Sequence, residues 1–147
     1  MADTFRVEVV AADRLVWEGE ATQVVATTTE GEIGILAHHI PLIAVLAGGA
    51  VDGAPAAARA EAGPVVVTTA DGRSEVIAVD GGFLSVERDR TAVISPYAQL
   101  AREISLSQAQ ADLRAAQAKR EAGDSSAETM RDYHRAIAQV KAASRKV

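Results

Sequence analysis

The stretch VVVTTADGRSEVIAV, residues 65–79, decides how the rest of the chain is read. Five β-favouring residues at 65–69 lead into Asp71-Gly72, and residues 75–79 form a second β-rich run. Asp-Gly between two such runs predicts a hairpin with a type I′ turn, in which both central residues take positive φ. Working outward, the same punctuation recurs in both directions. Gly81-Gly82 breaks the chain after this hairpin, and residues 83–87 and 91–95 pair across Arg88-Asp89-Arg90. Upstream, Phe5, Val7 and Val9 alternate with Arg6, Glu8 and Val10, the period of a half-buried strand. Asp13-Arg14 reads as a turn, residues 15–20 and 23–28 as two further strands, and Ile33, Ile35 and Leu36 as another, interrupted by Gly34. Pro41 opens an apolar run over 42–46 that ends at Gly48-Gly49. About ten short strands with turn signals between them predict a β-sandwich or barrel.

The period changes after Pro96. Leu106, Ala109, Leu113 and Ala116 follow spacings of three and four and share one helical face. Ser105 with Gln108 forms a capping box at its start, and Gly123 is a stop signal. Ser125 with Glu128 forms a second capping box, after which Met130, Tyr133, Ile137 and Val140 repeat the spacing. The expected architecture is therefore β + α. A sandwich domain over 1–98 is followed by an antiparallel two-helix hairpin over 99–147, each helix about four turns long. The seams are narrow and alanine-rich, so the hairpin buries little apolar area and its docking is marginal. An element held so weakly is displaced by any partner that binds it better. Residues 54–64, Ala-Pro-Ala-Ala-Ala-Arg-Ala-Glu-Ala-Gly-Pro, interrupt the strand pattern and read as an exposed loop, with an alanine-rich helical turn as the competing reading.

Composition narrows the function classes. Of 147 residues, 48% are hydrophobic and only 3% aromatic, so the core is built from Val, Ile, Leu and Ala. A net charge of −5 argues against sequence-independent nucleic-acid binding, which needs a basic footprint. There is no cysteine, so disulfides and thiolate metal sites are excluded. No apolar run approaches the ~20 residues of a membrane span, and nothing at the N-terminus reads as a signal peptide. Any membrane role is expected to run through a partner.

Two motifs sharpen this reading. Glu30-Gly31-Glu32-Ile33-Gly34-Ile35-Leu36-Ala37-His38-His39-Ile40-Pro41-Leu42 closely resembles the pattern E-G-[DE]-[LI]-G-[IV]-L-x-x-H-x-P-[LM] of the epsilon subunits of F-type ATP synthases. Val79-Asp80-Gly81-Gly82-Phe83-Leu84-Ser85-Val86 is similar to that family's V-x-G-G-F-L-E-V, with Ser85 where the family usually has Glu. The order and spacing agree over essentially the whole chain, and residues 54–64 stand as an insertion within a hairpin.

The resemblance implies a non-catalytic rotor subunit in the central stalk of a proton-translocating ATP synthase, peripheral at the cytoplasmic face of the plasma membrane. Its implied partners are gamma, gripped through an apolar face of the sandwich, the c-ring, on which the loop end rests, and the alpha/beta catalytic head. Glu30, Gly31, Glu32, His38 and His39 become a candidate c-ring contact loop. Arg131, Arg135, Lys141 and Arg145, with Lys146 beyond them, become candidate contacts to acidic segments of beta, through which the hairpin restrains ATP hydrolysis. Some relatives bind ATP through an [IL]-D-x-x-R-A motif on the first helix. The aligned residues here are Ile104, Ser105, Gln108 and Ala109, without the acid or the arginine, which implies weak or absent ATP binding.

The residues alone permit plainer readings. Gly31, Gly34 and Pro41 are turn chemistry, and the basic residues suit a helix C-terminus. A metal site built from His38, His39, Glu30 and Glu32 is disfavoured, because adjacent histidines in a strand point to opposite faces. Asp80-Gly81-Gly82 lacks either phosphate-loop pattern. No catalytic constellation and no cofactor motif is legible. The alternative to the rotor reading is a free-standing β-sandwich binding module whose helical tail dimerises.

Overall fold

The computed structural model of the chain describes residues 3–49 and 61–145. Among the described residues nine strands precede two α-helices: β1 (Phe5–Val10), β2 (Leu15–Thr28), β3 (Gly31–Leu36), β4 (Leu42–Val45), β5 (Val65–Thr69), β6 (Ser74–Val79), β7 (Phe83–Glu87), β8 (Arg90–Ile94), β9 (Ala98–Leu100), α1 (Leu106–Glu121) and α2 (Ala127–Arg145). This is the β-sandwich with a C-terminal helix pair that the sequence predicts. The two runs expected at 15–20 and 23–28 are one strand, β2. Residues 54–60 of the expected loop, and Lys146, lie outside the described residues.

The strand order is β4-β7-β8-β1-β2-β5-β6-β9, with β3 on β2. All pairs are antiparallel except β1 with β8. The long β2 connects the two layers. Its first half pairs with β1, and its second half lies between β3 and β5, with a register irregularity between Ala21 and Gln23. Residue alternation then fills the interior. Phe5, Val7 and Val9 of β1 meet Val24, Ile35, Val65, Val67, Ile77, Leu84 and Val93, all essentially inaccessible to solvent. Gly82 is obligatory where the chain enters β7. Its φ is 102°, and a Cβ there would collide with the Ile94 carbonyl.

One turn expectation changes. In the β5–β6 hairpin only Gly72 has positive φ, at 86°, and Asp71 does not. The Gly72 N–H donates to the Thr69 carbonyl at 3.0 Å, and Thr69 N–H to Arg73 O at 2.8 Å. The loop is thus three residues closed by one left-handed glycine rather than a two-residue type I′ turn. Asp71 is held instead by Thr69 Oγ1 and by Arg73 Nε, the latter at 2.8 Å.

The second helix is capped one residue later than expected. Ser126 Oγ accepts from Thr129 N–H at 3.3 Å, while Asp124 Oδ1 accepts from Ser126 N–H at 2.9 Å. Asp124 wins because its carboxylate also accepts from Thr129 Oγ1 at 2.8 Å, which fixes the chain entering the helix. At α1 the expected cap holds, with Ser105 Oγ accepting from Gln108 N–H at 3.3 Å. The Gln108 side chain does not close the box but donates to Asp112 at 2.8 Å.

The helices pack against each other, and α2 is the one that lies on β6. The deeply buried positions of α2 are Thr129, Ala136, Ala138, Ala142 and Ala143, not the larger residues of the expected seam. Ala138, Ala142 and Ala143 pack with Val76, Ala78, Ala62, Ala101, Ile104 and Ala109. A helix covered on two sides needs small residues for close approach, and Met130, Tyr133 and Ile137 fill the margins. Tyr133 carries the guanidinium of Arg120 over its ring at 4.1 Å, which joins the two helices.

Candidate functional site: a turn, an apolar face and a docked cationic helix

The five residues of the candidate contact loop do not form one surface. Thr29 and Glu30 make the tight β2–β3 turn, and Gly31, at φ 122°, opens β3 opposite Thr28. Thr28 Oγ1 donates to the Gly31 carbonyl at 2.6 Å and accepts from Glu30 N–H at 3.2 Å, and Thr29 N–H donates to Val45 O. Glu30, Gly31 and Glu32 are all exposed. His38 and His39 lie in the connection after β3, so the length of a six-residue strand, about 20 Å at 3.3 Å per residue, separates them from the turn. The same separation keeps Glu30 and Glu32 from joining the histidines as one ligand set, and the described residues contain no cluster of three or more potential ligands.

His38 is the unusual residue of the two. It occupies an unconstrained position of the sequence pattern, in which His39 is the matching histidine, and it has φ 65°. Its Nε2 lies 2.9 Å from Asp3 Oδ2 and its Nδ1 3.5 Å from Asp89 Oδ1, which ties the chain entering β1 to the β7–β8 turn. The hydrogen bond to Asp3, then the charges of Asp89 and Asp3, push the His38 imidazole above its ordinary pKa. His39 is half-buried, and its Nδ1 donates to the Ile40 carbonyl at 2.7 Å.

An apolar face whose residues the motifs do not give lies on the outer side of the β4-β7-β8-β1-β2 layer. Val45 pairs with Phe83, Phe83 with Ile94, Ile94 with Val10, and Val10 with Leu15. These lateral neighbours form one apolar row across five strands. Val45, Phe83, Ile94 and Leu15 are each about half exposed, and Ile43, beside the row, is 74% exposed. Paired Arg6–Glu18 and Arg90–Glu8 bridges stand on the same face towards the far ends of the strands. The signal was present in the sequence. In β4 and at the ends of β7 and β8, apolar residues occupy both strand parities, so these segments are apolar on both faces.

The candidate cations divide into two pairs. Arg131 and Arg145 are exposed, whereas Arg135 and Lys141 are turned against the sandwich. The Arg135 guanidinium lies 5.3 Å over the Tyr97 ring, and its buried Nε has no hydrogen-bond partner among the described residues. Gln139 Nε2 donates to Tyr97 OH at 3.0 Å, which in turn donates to Gln99 at 2.7 Å. Burial raises the Tyr97 pKa, against the opposing pull of the Gln139 hydrogen bond and the Arg135 charge. Lys141 Nζ reaches Glu61 Oε1 at 2.7 Å and donates to the Ala62 carbonyl at 2.9 Å. At the four positions aligned with the nucleotide motif, Ile104 and Ala109 are buried and Ser105 and Gln108 serve the α1 cap.

Comparison with known proteins now bears on this arrangement. A family model described as "ATP synthase, Delta/Epsilon chain, beta-sandwich domain" matches residues 4–55. A protein of Streptomyces avermitilis named "ATP synthase epsilon chain" is 42% identical over 132 residues, covering 90% of this chain and 93% of the relative. A protein of the same name from Cutibacterium acnes is 38% identical over 146 residues, covering 94% and 90%. Among solved structures, a chain of the Euglena gracilis mitochondrial ATP synthase OSCP/F1/c-ring assembly superposes with a TM-score of 0.68 at 20% identity, covering 95% of this chain and 78% of that one. A chain of the Tetrahymena thermophila mitochondrial ATP synthase central stalk/c-ring gives 0.54 at 12% identity, covering 95% and 98%. The two structural matches carry the fold, and the bacterial relatives carry the family. On that sequence similarity, over nearly the full length of both partners, the chain belongs to the ATP synthase epsilon chain family, a structural subunit of that complex and not its catalytic one.

Proposed function

We propose that the chain is a central-stalk rotor subunit that grips gamma with its apolar sheet face, rests its β2–β3 turn on the c-ring, and restrains ATP hydrolysis through α2. The observation that carries this reading is the row Leu15, Val10, Ile94, Phe83 and Val45. A chain that packs its interior so completely has no reason of stability to leave five lateral apolar neighbours in water. The Arg–Glu bridges beside the row supply the polar rim of a protein interface. The turn at Glu30, Gly31 and Glu32 is rigid, exposed and acidic, as a contact to polar loops of a ring requires. His38 and His39 have local partners at the far end of β3, so the ring contact is assigned to the turn alone. Arg131, Arg135, Lys141 and Arg145 become available together to acidic segments of the catalytic head only when α2 leaves the sandwich. The coupled ion is the proton, and the subunit is peripheral at the cytoplasmic face of the plasma membrane. Among the described residues no helix is long and apolar enough to cross a membrane.

The test is co-purification. An N-terminally tagged chain, extracted from native membranes in mild detergent, is expected to bring alpha, beta, gamma and c subunits. Phe83→Glu combined with Ile94→Lys is expected to lose at least tenfold in gamma recovery while the isolated chain keeps its melting temperature, since both side chains are surface residues. Recovery of the wild-type chain alone would sink the rotor reading. Deleting residues 103–147 is expected to raise ATP hydrolysis by the recovered complex, and unchanged hydrolysis would remove the inhibitory role only.

A further inference from the structure

The contact between α2 and the sandwich is made mostly of methyl groups. Ala138, Ala142 and Ala143 meet Val76, Ala78, Ala62 and Ala101, so each side chain contributes little buried area. Beside these, Ile104 is buried and Val66, Tyr97 and Val140 are partly buried in the same cluster, and polar contacts stand at its edges. One group of these is internal to the sandwich and hairpin, namely Gln139 and Arg135 against Tyr97. The other is supplied by residues 61–64, just before β5, and nothing in the strand pattern requires it.

That short segment is held firmly. Ala62 is 3% exposed. Gly48 has no room for a side chain beside it, since a Cβ there would stand 2.7 Å from the Ala62 methyl. Gly63 packs so closely on β2 that a Cβ would collide with the Thr27 hydroxyl. The segment thus presents two fixed acceptors, the Glu61 carboxylate and the Ala62 carbonyl, and both are taken by Lys141 Nζ, at 2.7 and 2.9 Å.

We propose that Glu61 and the Ala62 carbonyl form a latch on Lys141 that holds α2 on the sandwich and withholds this cation from any acidic partner. Docking and partner binding then compete for the same ammonium group. The latch itself is a property of the isolated chain. Its consequence for ATP hydrolysis rests on the inhibitory reading of α2 given above.

The experiment measures amide hydrogen exchange of residues 136–143 in the isolated full-length chain, with β1 as internal control. Glu61→Gln is expected to speed exchange of α2 about two- to fivefold, the range of an exposed ion pair, and Glu61→Lys is expected to speed it further. Lys141→Met is expected to give a similar acceleration and to abolish the effect of adding Glu61→Gln. Exchange of β1 is expected to stay unchanged throughout, because Glu61 is exposed and outside the core. Unaltered α2 exchange in Glu61→Lys would overturn the latch, as would a Glu61→Gln effect of equal size with and without Lys141. Glu61→Lys is then assembled into the complex. If it frees α2 in the isolated chain yet leaves hydrolysis unchanged, the latch stands and the inhibitory reading fails.

Discussion

His38 is held by charge rather than by packing. The imidazole is exposed and bridges Asp3 and Asp89, two segments that are distant in sequence. Its folded-state pKa lies above the ordinary 6.5, chiefly because Asp3 accepts its hydrogen bond. A raised pKa means that the folded state binds the proton more tightly. The contribution to stability is therefore complete below the unfolded value of about 6.5 and is lost as pH rises through the raised value. An NMR titration is expected to give His38 a pKa above 6.5, and Asp3→Asn to lower it towards that value. An unshifted His38 in the wild-type chain would contradict the bridge. The left-handed backbone at His38 and its pairing with Asp3 were not legible in the sequence, because neither partner is a neighbour along the chain. Gly31 and Gly82 were legible, since repeated Gly at strand boundaries marks backbone that other residues resist.

Among the elements, the caps separate local from non-local signals most clearly. Both Ser105 and Ser125 stand three residues before a Gln or Glu, and the sequence rule treats them alike. Only Ser105 caps a helix. At α2 the Asp124 carboxylate captures the Ser126 N–H and moves the cap to Ser126. Ser126→Ala is expected to destabilise the hairpin by about 1 kcal/mol, and Ser125→Ala to be neutral. Helicity and thermal unfolding by circular dichroism distinguish the two, and equal effects would refute the assignment. The Asp-Gly hairpin was correctly placed, but its turn type was decided by Thr69 and Arg73, which hold Asp71 away from positive φ. The merging of two expected strands into β2 has a similar origin. Ala21-Thr22, between the two β-rich runs, looks like a break in one dimension, yet the register irregularity there lets a single strand turn from one layer into the other.

At the level of the whole molecule, the hairpin and the sandwich bury alanine positions, while Leu106, Leu113, Met130, Tyr133, Ile137 and Val140 of the expected seams stay partly exposed. Ala109 and Ala116 of α1 and Ala136, Ala138, Ala142 and Ala143 of α2 are all buried in the hairpin or against β6. The isolated chain is expected to elute in size-exclusion chromatography at the mass of one copy, 15.3 kDa. A dimer that persists in Phe83→Glu would show that the tail, not the apolar sheet face, joins two copies. The residues of the apolar sheet face are what the sequence leaves open. Leu15, Val10, Ile94, Phe83 and Val45 come from five separate strands, and only sheet order and register make them a row.

Periodicity, turn residues and two extended motifs suffice by themselves for the sandwich, the helix pair and the family. Each of these is a local pattern or a contiguous string, and the backbone's preferences act over a few residues. Pairings between residues far apart in sequence belonged to the tertiary structure alone. They include the His38 bridge, the apolar row, the separation of Glu30 from the histidines, and the turning of Arg135 and Lys141 inward. The physical reason is the same in each case: burial and hydrogen-bond satisfaction are settled among elements, after the local structure has formed, and two side chains with no sequence relation compete for the same space or the same proton.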